Sequence, residues 1–452
     1  MSTPAPQKIE LYGQLTSADM RQTKPIHIQV PEGVTNIHFL FDHHPKWADD
    51  QRLRHQISLM IFDTQGPRFE ISIPDEKGVF INAARATPGG TPGAVHAGQW
   101  MVFILVHRLL SDLPVEYKLT VTFSFDPLQE DTQPWPVGQT LRRGPGWYRG
   151  DLHAHTIHSD GLWDIPDIVQ FWKQKGVDFM TLSDHNTISG LPQVRSLTDN
   201  QILTMGGIEL STYWGHAVAV GVHKWFDWRK LDGTQITMHE LAQQVIDAGY
   251  LFTIAHPFDP GDPTCCGCRW EYYDMMPGNA LAVEIWNGPW STRNQEALTW
   301  FYHWLNEGHR VTAVSGTDFH CPPADGERDA VNVVYAQELS ESAIIEAVKA
   351  GRCYVSAGPE LLLIAQSASG QSAMIGDTLP SESATITVRW HGGHEGDSVR
   401  FVVDGKTYRE KIVGAEGELT WQLGPGQARW CTAELRDANE DLWAVTNPIF
   451  WK

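Results

Sequence analysis

The chain reads as an α/β protein with a (β/α) barrel in its middle and a β-sandwich at each end. Three observations carry this reading. In the middle, helix-like stretches stop at Gly176, Gly249 and Gly308, and the strand-like runs that follow end at His185, at His256 and at Asp318 with His320. That is the layout of a (β/α) barrel, whose chemistry sits at the C-terminal ends of its strands. Before about residue 140 the chain holds only short β-branched and aromatic runs set between Pro/Gly punctuation. After about residue 362 it returns to short alternating runs of the same kind. Both ends therefore read as sandwiches, the first sandwich-like or jelly-roll-like.

Taken in order, residues 1–140 supply HIQV, NIHFLFD, QISLMIFD, WMVFILVH and YKLTVTFSF as strands, with PEG, TQG and ATPGGTPG as turns. No catalytic cluster is legible there, and His43 and His44 read as loop residues. The stretch PLQEDTQPWPVGQTLRRGPGW is a linker by its proline and glycine content. Residues 146–361 then alternate: helix IPDIVQFWKQKG, strand FMTLSDH, helix TMHELAQQVIDAG, strand LFTIAHP, helix NQEALTWFYHWLNEG, strand VTAVSGTDFH, and helix SESAIIEAVKAG before CYVSAGP. Residues 362–452 give ATITVRW, SVRFVVDGKTYREKIV, GELTWQL, ARWCTAELRDA and DLWAVTNPIFW, with Asp404-Gly405 marking a hairpin.

At 452 residues the chain is long enough for two or three domains. A net charge of −20 speaks against nucleic acid or an anionic membrane as the main partner, since phosphate binding needs a basic face. The N-terminus shows no secretory pattern, and no apolar stretch is long enough to span a bilayer. Six cysteines are sparse, which suits a reducing compartment, so a cytoplasmic location is expected. TCCGC reads as an irregular loop rather than a zinc knuckle, because it lacks a second ligand pair.

Nine residues in six segments share the chemistry of metal ligands. They are His153, His155 and Asp160 in DLHAHTIHSDG, His185 in LSDHN, Glu209 in GIEL, His216 in GHAVAVG, His256 in IAHPFD, and Asp318 with His320 in GTDFH. In HxH and DxH the two side chains point the same way on an extended chain. Glu209 offers two oxygens and so can bridge two cations, which one imidazole cannot. Clusters of this kind lower the pKa of bound water and clamp attacking and leaving oxygens.

These motifs resemble those of the PHP (polymerase and histidinol phosphatase) superfamily over roughly residues 146–360. VEIWNGPW, AVKAGRCYVSAGP and the flanking β-domains resemble the CehA/McbA metallohydrolases. The resemblance implies a distorted (β/α)7 barrel holding two or three divalent cations (Mn, Zn or Fe). Carried over, one cation falls to His153, His155, Glu209 and Asp318. A second shares Glu209 and takes His216 and His256, and a third takes Asp160, His185 and His320. Many PHP proteins have His where this chain has Asp160, which leaves the third site open. Glu209 and Asp318 are the expected catalytic carboxylates. Asp151 and Asp184 are expected to orient the imidazoles, and His158 to face solvent, with contact to substrate the alternative.

The implied activity is hydrolysis of a small-molecule ester, first a phosphoester. Most of the 19 tryptophans are expected to pack cores. Trp163, Trp214, Trp286 and Trp290 lie beside ligand segments, and there they would line an apolar pocket suited to an aryl ester. They and the CehA/McbA likeness make a carbamate or amide-type hydrolase the alternative. Arg293, Lys224 and Arg149 are candidate anion contacts. A non-catalytic metal-stabilised module ranks last, because candidates stand at all nine positions. The acidic balance weighs against a nuclease. The terminal β-domains are left to shape the pocket, mediate homo-oligomerisation or bind a partner.

Overall fold

The computed structural model describes residues 4–48, 53–71, 78–111, 113–126, 135–136, 138, 141, 143–231, 235–324, 326–412 and 414–452. Most of the linker expected before Trp147 lies outside the described residues. Among the described residues no helix is long and apolar enough to cross a membrane.

The first eight strands are β1 (Gln7–Leu15), β2 (Gln22–Val30), β3 (Asn36–His44), β4 (Gln56–Phe62), β5 (Pro67–Ile71), β6 (Val79–Asn82), β7 (Gly98–Arg108) and β8 (Val115–Ser124). They form two four-stranded antiparallel sheets, ordered β1-β8-β3-β6 and β2-β7-β4-β5. That interleaving is the jelly-roll form of a sandwich. Period-two alternation drives it: Trp100, Val102, Ile104 and Val106 of β7 enter a core with Ile37, Phe39, Leu119 and Val121. The second sheet is not left polar on its other face. Met60 and Leu105 are fully buried there, in the core of the middle region. The jelly roll is thus clamped onto the rest of the chain. Phe62 meets Trp225, and Arg108 donates to the carbonyls of Pro263 and Thr264.

The middle region runs β9 (Gly146–Asp151), α1 (Ile165–Gln174), β10 (Phe179–Leu182), α2 (Leu191–Ser196), β11 (Leu203–Ser211), β12 (His216–Val220), α3 (Met238–Asp247), β13 (Leu251–Ile254), β14 (Ala282–Asn287), α4 (Thr292–Glu307) and β15 (Thr312–Gly316). Local signals start and stop these helices. Asp164 caps α1 by accepting from Ile165 N at 2.7 Å, and Thr237 forms a capping box with Glu240 at α3. Gly176, Gly249 and Gly308 follow with φ of 67°, 89° and 94°, a backbone region that glycine enters at little cost.

The chain is mixed α/β and rich in strands. Its pairing does not show the distorted (β/α)7 barrel that the resemblance implies. Strands β9 to β15 are hydrogen-bonded in chain order, but β12 runs antiparallel to both neighbours. The reason is local: only residues 212–215 separate β11 from β12, a hairpin with no room for a crossover helix. Ala154, just past β9, bridges Phe319, just past β15, so the two ends of the run meet where the ligand segments lie.

The sheet also continues outward. β16 (Val331–Ala336) pairs antiparallel with β9, and β17 (Cys353–Ser356) follows helix α5 (Glu341–Lys349) and pairs with β16. Leu442–Thr446, Trp430–Arg436, Ser398–Val403 and Lys406–Ile412 extend the same sheet. A second sheet of Ser372–Met374, Glu360–Ser367, Ala384–His391 and Glu416–Leu423 closes over it. Leu361, Leu363, Ile386, Val388, Phe401 and Ala433 fill the space between. The C-terminal sandwich therefore shares a sheet with the middle region, and residue 362 falls inside a strand.

Candidate metal centre

Every segment with ligand-type residues lies at the same end of the sheet. His153 and His155 follow β9, and their backbone is sewn to the segment after β15. Asp318 N donates to His153 O at 2.8 Å, and His155 N to Phe319 O at 2.9 Å. Asp151 accepts from Thr317 N (3.0 Å) and Thr317 Oγ1 (2.8 Å), fixing the start of that segment. His185 follows β10, Glu209 lies in β11, His216 opens β12, and His256 follows β13. His256 and Asp318 are left-handed, at φ 27° and 55°. Such backbone costs on the order of 1–3 kcal/mol per residue and persists where the surroundings over-determine it.

Glu209 is the hub. It is fully buried, and its Oε1 lies 3.1 Å from His216 Nδ1 and 3.0 Å from His256 Nε2. Its Oε2 lies 2.6 Å from His185 Nδ1, 3.4 Å from His155 Nε2 and 3.5 Å from His153 Nε2. Asp318 Oδ1 stands 3.0 Å from His155 Nε2 and 3.3 Å from His153 Nε2, and those two nitrogens are 3.0 Å apart. Asp160 Oδ1 lies 3.1 Å from His320 Nε2 and 3.4 Å from His185 Nε2. All nine expected ligands thus converge. They form four overlapping groups: His153/His155/Asp318, His153/Glu209/His256, His185/Glu209/His216 and His155/Asp160/His185/His320. The difference from the expected grouping is that His153, His155 and His185 each face two groups.

The donor set fits divalent cations. Neighbouring donors around His153, His155, Glu209 and Asp318 are spaced like the edges of a tetrahedron with bonds of about 2.1 Å, roughly 3.4 Å. Glu209 Oε2 and Asp318 Oδ1 are buried against imidazole nitrogens but make no aligned hydrogen bond. Burial alone would push Glu209 up, but His185, His153 and His216 pull it well below the ordinary carboxylate range. Burial, with His185 and His320 nearby, holds His155 down at about 3, so it offers a lone pair at neutral pH. Burial opposes charge on His153, yet Glu284, Asp318 and Glu209 outweigh it and raise that imidazole. The same negative charge attracts a cation in competition with the proton.

Glu284 is the residue that sequence reasoning passed over. Its Oε1 accepts from His153 Nδ1 at 2.7 Å, and its Oε2 accepts from His256 N (3.0 Å) and Asn287 Nδ2 (2.9 Å). A carboxylate inside the apolar run AVEIWN was the available signal. Asp184, by contrast, touches no ligand ring. It accepts from Thr156 N (2.7 Å), Thr156 Oγ1 (2.8 Å) and Ser159 Oγ (2.6 Å), and so pins the loop after His155. Asp151 likewise fixes backbone rather than imidazole. His158 does not face solvent alone, since its Nδ1 lies 2.8 Å from Ser189 Oγ.

The expected aromatic rim is not built. A cavity of about 210 Å³ opens over Asp160, His185, His216, His256, Asp318 and His320, and no tryptophan lines it among the described residues. Trp163 is buried and donates to His155 O at 2.7 Å. Trp286 is fully buried against Trp290, 4.6 Å between ring centroids, because a bulge between Glu284 and Trp286 breaks the strand's alternation. Trp290 faces a separate cleft beside α4, and Trp214 lies under the Arg21 guanidinium at the jelly-roll interface. Arg293 reaches the cavity only through its ion pair with Asp259, at 2.9 Å. Lys224 sits over Phe226, and Arg149 donates to Gly358 O; neither lines the cavity.

The far wall comes from the jelly roll. Gln56, Ser58, Glu70 and His107 project from the outer face of its second sheet. Cys265 and Cys268 of the TCCGC loop also line the cavity and are joined by a disulfide, a pairing the sequence reading did not foresee. Cys268 O takes a hydrogen bond from His256 Nδ1 at 3.1 Å, which leaves Nε2 for Glu209.

No family model matches the chain. Over 64 residues, 14% of its length, it is 34% identical to the phosphoribosyl 1,2-cyclic phosphate 1,2-diphosphodiesterase of Eggerthella lenta, of which the match covers 24%. Over 65 residues it is 34% identical to a 5'-3' exoribonuclease of Haemophilus influenzae, again covering 24% of that protein. The chain thus spans about a quarter of the length of the curated relatives it matches. Among solved structures it is similar to a two-domain protein from Bacteroides vulgatus containing a predicted PHP-like metal-dependent phosphoesterase. That similarity has 16% identity, a TM-score of 0.40, and covers 71% of this chain and 100% of that one.

Proposed function

We propose that this chain is a metal-dependent hydrolase of the PHP superfamily that cleaves phosphoesters of small molecules with two or three divalent cations. The observation that supports this best is Glu209, a fully buried carboxylate whose two oxygens are shared among five imidazoles. His153, His155, Asp318 and Glu209 would hold one cation, and Glu209, His216 and His256 a second. Asp160, His185 and His320 would hold a third. Cations so placed activate water and neutralise the oxygens of a phosphoryl transition state. The chain's own part is to fix the donors: Glu284 aims His153, and the Cys268 carbonyl aims His256. Lysine and arginine are absent from the cavity lining among the described residues, so anion binding falls to the donor cluster.

The finer placement among the CehA/McbA metallohydrolases rests on VEIWNGPW, AVKAGRCYVSAGP and the flanking β-domains. The carbamate chemistry it suggested loses its physical support, since the indoles expected to hold an aryl group lie elsewhere. The test is turnover of an aryl phosphomonoester, an aryl phosphodiester and an aryl N-methylcarbamate by Mn-, Zn- and Fe-loaded protein. Glu209→Ala and Asp318→Ala serve as controls of quantified metal content. Metal-dependent phosphoester cleavage that both variants lose is the expected result. Preference for the carbamate, or undiminished turnover by either variant, overturns the proposal.

A further inference from the structure

Phosphoester cleavage needs an acid for the leaving oxygen, and the ligand carboxylates are committed to cations. We propose that Glu70, carried to the cavity by the jelly roll, donates that proton; this inference rests on the phosphoester reading above. Glu70 belongs to β5, the strand whose Phe69 faces the jelly-roll core, so its own side chain projects from the opposite face. It is 6% exposed and lines the same cavity as Asp160, His185 and Asp318. Trp228 Nε1 donates to both of its oxygens, at 3.2 and 3.4 Å. This anchors the carboxyl to the middle region and leaves it facing the cavity.

Its surroundings favour the acid form. Burial raises Glu70 well above the ordinary carboxylate range, against smaller lowering by Trp228, Arg229 and Asn186. Arg229 is already paired with Asp227 at 2.7 and 2.8 Å, and Asp227 itself raises Glu70. A carboxyl kept neutral in this way is the kind that serves as a general acid. The other cavity groups serve less well. His107 is held at about 3, chiefly by burial and then by His216 and His185, so at neutral pH it is an uncharged imidazole and a poor acid. Cys266 is pushed up to about 12 by burial and is too weak an acid. Asp259 is taken by Arg293.

The step balances. Water adds to phosphorus, and the bond from phosphorus to the leaving oxygen breaks, with its electron pair staying on that oxygen. The Glu70 O–H proton goes to the oxygen to give the free alcohol. The carboxylate regains a proton from the water that was consumed, so phosphomonoester and water become alcohol and phosphate.

The experiment compares wild type with Glu70→Gln, which keeps the size of the side chain and an acceptor for Trp228. Two phosphomonoesters are used, one with an activated nitrophenyl leaving group and one with a simple alkyl leaving group. The expected result is a kcat loss of about 100-fold or more on the alkyl ester. On the nitrophenyl ester, which leaves without help, the loss is small, and metal content is unchanged. The basic limb of the wild-type pH profile on the alkyl ester disappears in the variant. Equal losses on both esters, or lost metal, assign Glu70 a structural role and overturn the proposal. An infrared difference spectrum of wild type against Glu70→Gln is read independently of activity. A protonated-carboxyl band at neutral pH is expected, and its absence overturns the proposal even if the wild type is active. A wild type inert on both esters and on the aryl phosphodiester removes the phosphoester reading, and this inference with it.

Discussion

Glu284 Oε1 sits 2.7 Å from His153 Nδ1, so a buried carboxylate on β14 fixes the ring that β9 delivers to the centre. The other oxygen of Glu284 holds the backbone N–H of His256 at 3.0 Å, which ties two ligand segments to one side chain. Glu284 itself is not among the groups that would touch a cation; it acts on two that would.

Replacing this carboxylate tests its role directly. Glu284→Gln keeps the volume but removes the charge that orients and polarises His153. Metal affinity is expected to fall about 10- to 100-fold, read by competition with a chromophoric chelator. Unchanged affinity would show that His153 needs no partner.

Gly316 supports the same pair. A Cβ there would lie 2.2 Å from Glu284 Oε1 and 2.6 Å from His153 Cβ. Gly316→Ala is therefore expected to cost about 1–3 kcal/mol of stability by overpacking, and to weaken metal binding at the same time. Thermal unfolding and metal titration of one preparation check both. A variant as stable as wild type contradicts the rigidity of this corner.

The disulfide Cys265–Cys268 holds the loop whose carbonyl fixes the tautomer of His256. Treatment with a dithiol is expected to weaken several-fold the binding of the metal that His256 would hold. A Cys265→Ser/Cys268→Ser variant is expected to show the weaker binding without reductant and no further response to it. Equal metal affinity in oxidised and reduced protein would show that the loop holds its shape without the bond.

Asp329 gives a pH dependence away from the ligands. Burial, then Glu327, raises it to about 6 against Lys175, and its Oδ1 is buried without a hydrogen-bond partner. Its folded value lies above the unfolded value of about 3.9. Its contribution is therefore fully present below pH ~4 and is lost as pH rises through about 6. After solvent screening this amounts to about 1 kcal/mol at most. Asp329→Asn is expected to raise Tm relative to wild type at pH 7.5, with the gain vanishing near pH 4. A difference that stays constant with pH would point to packing instead.

Much of the centre is legible in the sequence. HxH and DxH place two donors on one side of an extended segment whatever surrounds them, and Gly176, Gly249 and Gly308 mark helix ends by backbone preference alone. The jelly-roll strands with strong alternation, such as β3 and β7, are equally plain. β1 is not, because QKIELYGQL is mostly exposed at the sheet edge and buries little apolar surface to mark it. Trp286 and Trp290 misled for a related reason: nearness to a ligand segment does not say which face a side chain takes, and a bulge reversed it.

The sequence by itself determined the donor types, their spacing and the β-rich ends, because these depend on residue chemistry and local backbone preference. Only the tertiary structure decided that β12 turns back through a four-residue hairpin and that the C-terminal sandwich shares the central sheet. It also decided that Glu284 aims a ligand and that Glu70 and His107 cross from another domain to wall the cavity. One of them, Glu284 with His153, joins residues 131 positions apart. These relationships arise from which faces of packed sheets meet, a property of buried surfaces that no local run of residues encodes.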